Sequence, residues 1–135
     1  VEGGGPLRGI DADLRDFPDL APTLAVAALF ASGPTTIAGV PHLRFKESDR
    51  IEALCAAIAA LGGRATPRAD GLRIDPAPLA GAPIDPRRDH RMAMAFAVAG
   101  LRLPGVSILD PDCVTKSYPS FWQAFDALGS PESRT

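Results

Sequence analysis

Lys46-Glu47-Ser48-Asp49-Arg50, running into Ile51-Glu52-Ala53-Leu54-Cys55-Ala56-Ala57-Ile58-Ala59-Ala60-Leu61, reads as a loop that turns into an amphipathic helix. Apolar side chains recur at Ile51, Leu54, Cys55, Ile58 and Leu61, the spacing of one helical face. Ser48 is placed to cap its start, and Gly62-Gly63 to stop it. Lys46 and Arg50 then flank a helix N-terminus, whose unpaired N–H groups and positive dipole end attract a phosphate or carboxylate. Glu47 does not fit simple anion capture. A carboxylate held between two cations beside an anion site has the equipment for proton transfer. The ordinary alternative is a solvated first turn with one exposed salt bridge.

Outward from this stretch, the chain reads as two similar units. Upstream, Ile10-Asp11-Ala12-Asp13 is a short strand edge, and Asp19 precedes a long apolar segment from Leu20 to Phe30 in which nearly every side chain is Ala, Val, Leu or Phe. A helix with no polar face is expected to be buried all round. Ser32-Gly33-Pro34 ends it, and Thr35 to Val40 reads as a strand. Downstream, a turn at Ala69-Asp70-Gly71 leads to a strand at Leu72-Arg73-Ile74, a hairpin signal. The order then restarts. Pro83-Ile84-Asp85 is a strand, Asp89-His90-Arg91 opens a second apolar helix from Met92 to Leu101, and Val106 to Leu109 is its following strand. Lys116-Ser117-Tyr118-Pro119 leads into a last helix, Ser120 to Leu128. Asp19 falls on Asp89, Ile37 on Ile108 and Lys46 on Lys116, at an offset of 70 or 71 residues. The expectation is a single α/β (α+β) domain, 1–135, of repeats at about 9–78 and 82–129, with a frayed tail at 130–135.

Composition narrows the function. The 135 residues are 46% hydrophobic and 22% charged, which suits one globular domain with a real core. A net charge of −2 argues against a nucleic-acid or anionic-membrane surface. No apolar run approaches the roughly 18 residues of a membrane span, and no leader pattern is visible. Two cysteines make no disulfide framework, and Cys55 on the apolar helix face is compatible with a reducing cytosol. Helix starts carrying Asp19, His90 and Arg91, and loops carrying Lys46, Arg50 and Lys116, bring cations and acids together as an anionic substrate requires.

Four motifs then carry a resemblance. Phe17-Pro18-Asp19-Leu20-Ala21-Pro22-Thr23, Arg44-Phe45-Lys46-Glu47-Ser48-Asp49-Arg50-Ile51, Asp89-His90-Arg91-Met92-Ala93-Met94 and Asp112-Cys113-Val114-Thr115-Lys116-Ser117-Tyr118-Pro119 occur in this order. Together they resemble the C-terminal half of the 5-enolpyruvylshikimate-3-phosphate synthases, from about Gly9 to Leu128. The resemblance implies transfer of the carboxyvinyl group of phosphoenolpyruvate to the 5-hydroxyl of shikimate 3-phosphate, with release of phosphate, in cytoplasmic aromatic amino-acid biosynthesis. It implies no metal and no organic cofactor. It implies an inside-out fold of βαβαββ units, helices within and sheets without, three to a domain. This chain holds about two of the three, and the other domain, expected as its partner, is missing. The opening Val1-Glu2-Gly3-Gly4-Gly5-Pro6 also resembles the end of a connection, so a fragment is expected.

By the same resemblance, Asp19 and Glu47 are the catalytic carboxylates, Asp19 at the attacking hydroxyl and Glu47 at the phosphoenolpyruvate methylene. Arg50, Arg91 and Lys116 hold the phosphate and carboxylate of phosphoenolpyruvate, with His90 beside them. Lys46 reaches the hydroxyl region, and His42 stands where the family often carries an asparagine. Two other readings compete: a non-catalytic anion-binding half-domain, and the sister transferase acting on UDP-N-acetylglucosamine.

Overall fold

The computed structural model describes residues 5–128. Among these, six short strands and four α-helices follow in the order β1 (Asp11–Asp13), α1 (Ala21–Ala28), β2 (Thr35–Ala38), α2 (Arg50–Ala60), β3 (Arg64–Arg68), β4 (Gly71–Asp75), β5 (Pro83–Ile84), α3 (His90–Ala99), β6 (Ser107–Ile108) and α4 (Phe121–Leu128). The fold is of the α/β class. Thr35, Thr36 and Ile37 supply the branched side chains that favour a pleated surface, and β2 pairs parallel with β1 and antiparallel with β4. The resulting sheet has the order β1-β2-β4-β3, while β5 and β6 form a separate parallel pair. Each parallel pair is joined through a helix, α1 for one and α3 for the other. These two helices pack on each other; α1 also packs on β2 and β4, and α3 on β6. Ala25, Ala28, Ile37, Leu54, Ile58, Leu72, Met92 and Phe96 belong to one continuous core.

The periodicity of α2 holds, but its cap is shifted by one residue from the expected Ser48. Asp49 is the cap, its Oδ1 accepting from the Glu52 N–H at 3.0 Å. Both residues are of capping type, and a tertiary contact separates them, because the Ser48 hydroxyl donates to Asp89 at 2.9 Å. At the other end, the N–H of Gly62 donates to Ala59 and that of Gly63 to Ile58, with Gly62 at φ 85°. This is the Schellman arrangement, which explains the glycine at the left-handed position. Arg44 reinforces the start of α2 by donating to Asp49 at 3.3 Å and to the Arg68 carbonyl at 3.1 Å. Asp49→Ala should therefore cost at least about 1 kcal/mol and lower the melting temperature by roughly 3–5 °C, read by circular dichroism.

Two expectations are corrected by tertiary structure. The hairpin loop is Ala69-Asp70, with Arg68 opposite Gly71 as the first residue of β4. Gly71 is needed because a Cβ there would lie 1.8 Å from the Ile37 carbonyl oxygen. The apolar helices are also not buried all round. Thr23 on α1 and Val98 on α3 are exposed, and the side between them opens as a concavity of about 210 Å³. An all-apolar sequence demands burial only where neighbours are present, and Phe121 alone reaches over this groove from α4. The expected tail at 130–135 lies outside the described residues.

Candidate active site

Arg50 is the first residue of α2, and its side chain is 1% exposed. Burying a guanidinium requires that its charge and donors be matched. Asp89, completely buried at the start of α3, does this: its Oδ2 accepts from Arg50 Nε at 2.6 Å and its Oδ1 from Nη2 at 3.3 Å. Asp89 also accepts from the Ser48 hydroxyl, and caps α3 by accepting from the Arg91 N–H at 3.0 Å. Burial alone would push its carboxyl up. The Arg50 hydrogen bonds and charge, with the Ser48 and Arg91 donors, outweigh burial and hold it below the usual carboxylate range. Burial would lower the pKa of Arg50 in turn, but the hydrogen bonds and charge of Asp89, with the charge of Glu47 and the hydrogen bond to Asp19, outweigh burial and raise it.

Two more carboxylates meet the same guanidinium from the solvent side. Asp19, in the 3-10 turn Pro18–Leu20 before α1, accepts from Arg50 Nη1 at 2.9 Å. Glu47, in the loop before α2, accepts from Nη2. Their side chains are 45% and 47% exposed. Asp19 is shared with Arg91, whose Nη2 lies 3.4 Å away, and both line the groove between α1 and α3 with Thr23 and Met94. Two cations and two half-exposed carboxylates are thus linked in one network, with Asp19 and Arg91 on the wall of the concavity and Glu47 joined to Asp19 through the buried Arg50. Binding an anion and moving a proton beside it require such a set.

The structure thus brings together Asp19, Glu47, Arg50 and Arg91 among the residues expected from the sequence. Lys46 is exposed in the loop beside Glu47, His42 is exposed in the 3-10 turn Pro41–Phe45, and His90 is half-buried at the first position of α3. Lys116 is exposed and lies with Arg88, Asp110, Asp112 and Cys113 around a separate open depression. Burial and the nearby aspartates, Asp110 first, push the Cys113 thiol up to about 11. Arg87 and Arg88, just before Asp89, both adopt left-handed backbone at φ 56° and 59°. That conformation is unusual for side chains of this size, and Arg87 is tied down by Glu52 and Asp85. Sequence reading assigned no site role to Asp89 and only a capping role to Ser48, although both stood in the quoted motifs. The available signal was a cap-type carboxylate directly before an apolar helix that also carries a histidine and an arginine. Among the described residues no cluster of His, Cys, Asp and Glu is arranged to hold a metal ion, and no helix is long and apolar enough to cross a membrane.

A family model described as EPSP synthase (3-phosphoshikimate 1-carboxyvinyltransferase) matches residues 1–125. The chain belongs to the EPSP synthase family. Proteins named 3-phosphoshikimate 1-carboxyvinyltransferase are 48% identical to it in Methanoculleus marisnigri, over 96% of this chain and 31% of that protein. The corresponding figures are 51%, 87% and 27% for Methanospirillum hungatei, and 47%, 93% and 29% for Nostoc punctiforme. The EPSP synthase structure from Acinetobacter baumannii superposes with a TM-score of 0.84 at 34% identity, covering 94% of this chain and 31% of that one. The enolpyruvyl transferase NikO of Streptomyces tendae gives 0.70 at 27% identity, covering 94% and 29%. The EPSP synthase family fold is therefore shared over nearly the whole chain. The chain spans about 30% of the length of the curated relatives it matches.

Proposed function

We propose that this chain is the part of a 3-phosphoshikimate 1-carboxyvinyltransferase that grips phosphoenolpyruvate and moves its protons, in the cytoplasm and jointly with the remainder of the enzyme. The observation that carries this reading is Arg50, buried and facing Asp19 and Glu47, with Arg91 sharing Asp19 at the mouth of the same groove. Phosphoenolpyruvate carries a phosphate and a carboxylate, and guanidinium groups match both in bidentate geometry. Addition across its double bond needs a proton on the methylene carbon and the loss of one from the attacking hydroxyl; loss of phosphate together with a proton from the new methyl group then restores a double bond. Glu47 serves the carbon and Asp19 the 5-hydroxyl of shikimate 3-phosphate. In this reading Lys46 and His42 contact the hydroxylated ring and His90 stands beside the anion at the head of α3, while Lys116, which lines a separate depression, must swing across to reach it. Residues 9–78 and 82–129 serve as two repeats, meeting at Arg50 and Asp89. Two half-buried free cysteines, Cys55 and Cys113, suit a reducing compartment.

Alone, the chain leaves the groove open to water on one side, so the 135-residue protein should release no phosphate from the two substrates above background. Grafted in place of the matching segment of the Methanoculleus marisnigri protein, it should turn over. A folded graft that binds neither substrate and releases no phosphate would refute the proposal.

A further inference from the structure

A guanidinium has five N–H donors: one on Nε and two on each Nη. In Arg50 the edge formed by Nε and Nη2 faces Asp89, which takes one hydrogen bond from each. The second edge, formed by Nη1 and Nη2, is closed by Asp19 on one nitrogen and Glu47 on the other. Four of the five donors are used, and one Nη1–H remains. A phosphate or carboxylate arriving in the two-point manner needs a whole edge. The Asp89 edge is sealed in the core, so the anion must take the edge that Asp19 and Glu47 now hold.

The two occupants are not equivalent. Asp19 is braced by a second cation, Arg91, whereas among the described residues Glu47 pairs with Arg50 alone. Three carboxylates also face two guanidiniums here, an excess of one negative charge that opposes an incoming anion. We infer that Glu47 is an internal placeholder: its carboxylate fills the Arg50 edge in the empty site, and an incoming oxyanion evicts it. Eviction has a chemical result, since a carboxylate spent on Arg50 is free for proton transfer only after the anion has taken its place. The inference rests on the site assignment proposed above and extends it to the order of events.

The test is calorimetric titration of the 135-residue chain with inorganic phosphate and, separately, with pyruvate as a carboxylate probe. Glu47→Gln should bind phosphate about tenfold more tightly than the wild type, near 1.4 kcal/mol. Arg50→Lys, which keeps the charge but loses the second edge, should abolish the gain when combined with Glu47→Gln. At saturation the Arg50 Nε–H resonance should stay put while the Nη signals move, because Asp89 keeps its edge. A gain for phosphate alone assigns the edge to a phosphoryl group, and a gain for both probes assigns it to oxyanions generally; either supports the inference. Unchanged or weaker binding by Glu47→Gln, saturable binding by no variant, or a gain that survives Arg50→Lys would each overturn it. These readouts are affinities, so an inactive graft would sink the proposed activity without touching them, and the converse also holds.

Discussion

Replacing Asp89 with alanine should lower the stability of the chain by about 3–5 kcal/mol, read as roughly a 10–20 °C drop in melting temperature. The reason is the buried guanidinium left behind. Arg50 would keep only two partially exposed carboxylates, Asp19 and Glu47, and its Nε edge would face a dry core. Asp89→Asn separates the causes: it can still cap α3 through the Arg91 N–H, recovering about 1 kcal/mol, but supplies no charge. The acid limb carries the same signature. Asp89 sits below its ordinary value near 3.8 when folded, so its contribution is fully present above that value. It is lost as the pH falls from there through the folded pKa, because the unfolded chain binds the proton first. Stability against pH below about 4 should therefore be flatter in Asp89→Asn than in the wild type. A loss under 1 kcal/mol in Asp89→Ala would mean that Arg50 is adequately matched without it.

Arg50→Lys in the active graft should lower kcat/KM by about 10²–10³, the scale for one charge-stabilising contact. A lysine offers a compact point charge with no planar edges, so it cannot hold Asp89 on one edge and grip an incoming anion bidentately on another. Glu47→Gln should by contrast fall mainly in kcat, since the amide leaves the Arg50 edge open for binding while removing the carboxylate proposed to carry the proton. Melting curves of both variants separate lost chemistry from lost fold. Near-normal turnover in Glu47→Gln would take this residue out of the proton pathway.

Much of this was legible in the chain itself, and the failures share a cause. The α2 helix was visible because the spacing of Ile51, Leu54, Cys55, Ile58 and Leu61 is local information. The choice between Ser48 and Asp49 as its cap was not, because it turns on an aspartate 41 residues further on. The charged residues of the candidate site stand in the quoted motifs, so their type and order are read directly from the chain. That Arg50 is buried while Glu47, three residues earlier, is half-exposed depends on how α2 meets α3, and no helical period encodes that. The groove between α1 and α3 was hidden for a related reason. All-apolar sequence states a demand for neighbours without saying how many are supplied, and Val98 remains 51% exposed.

The Arg50–Asp89 contact joins a residue at the head of α2 to one at the head of α3, 39 positions apart. Neither ion can enter a dry interior until the other arrives, so the first half of the chain cannot finish condensing before the second has docked. Hydrogen exchange in α2 and α3 should then report a single opening event, with α2 and α3 opening as one foldon.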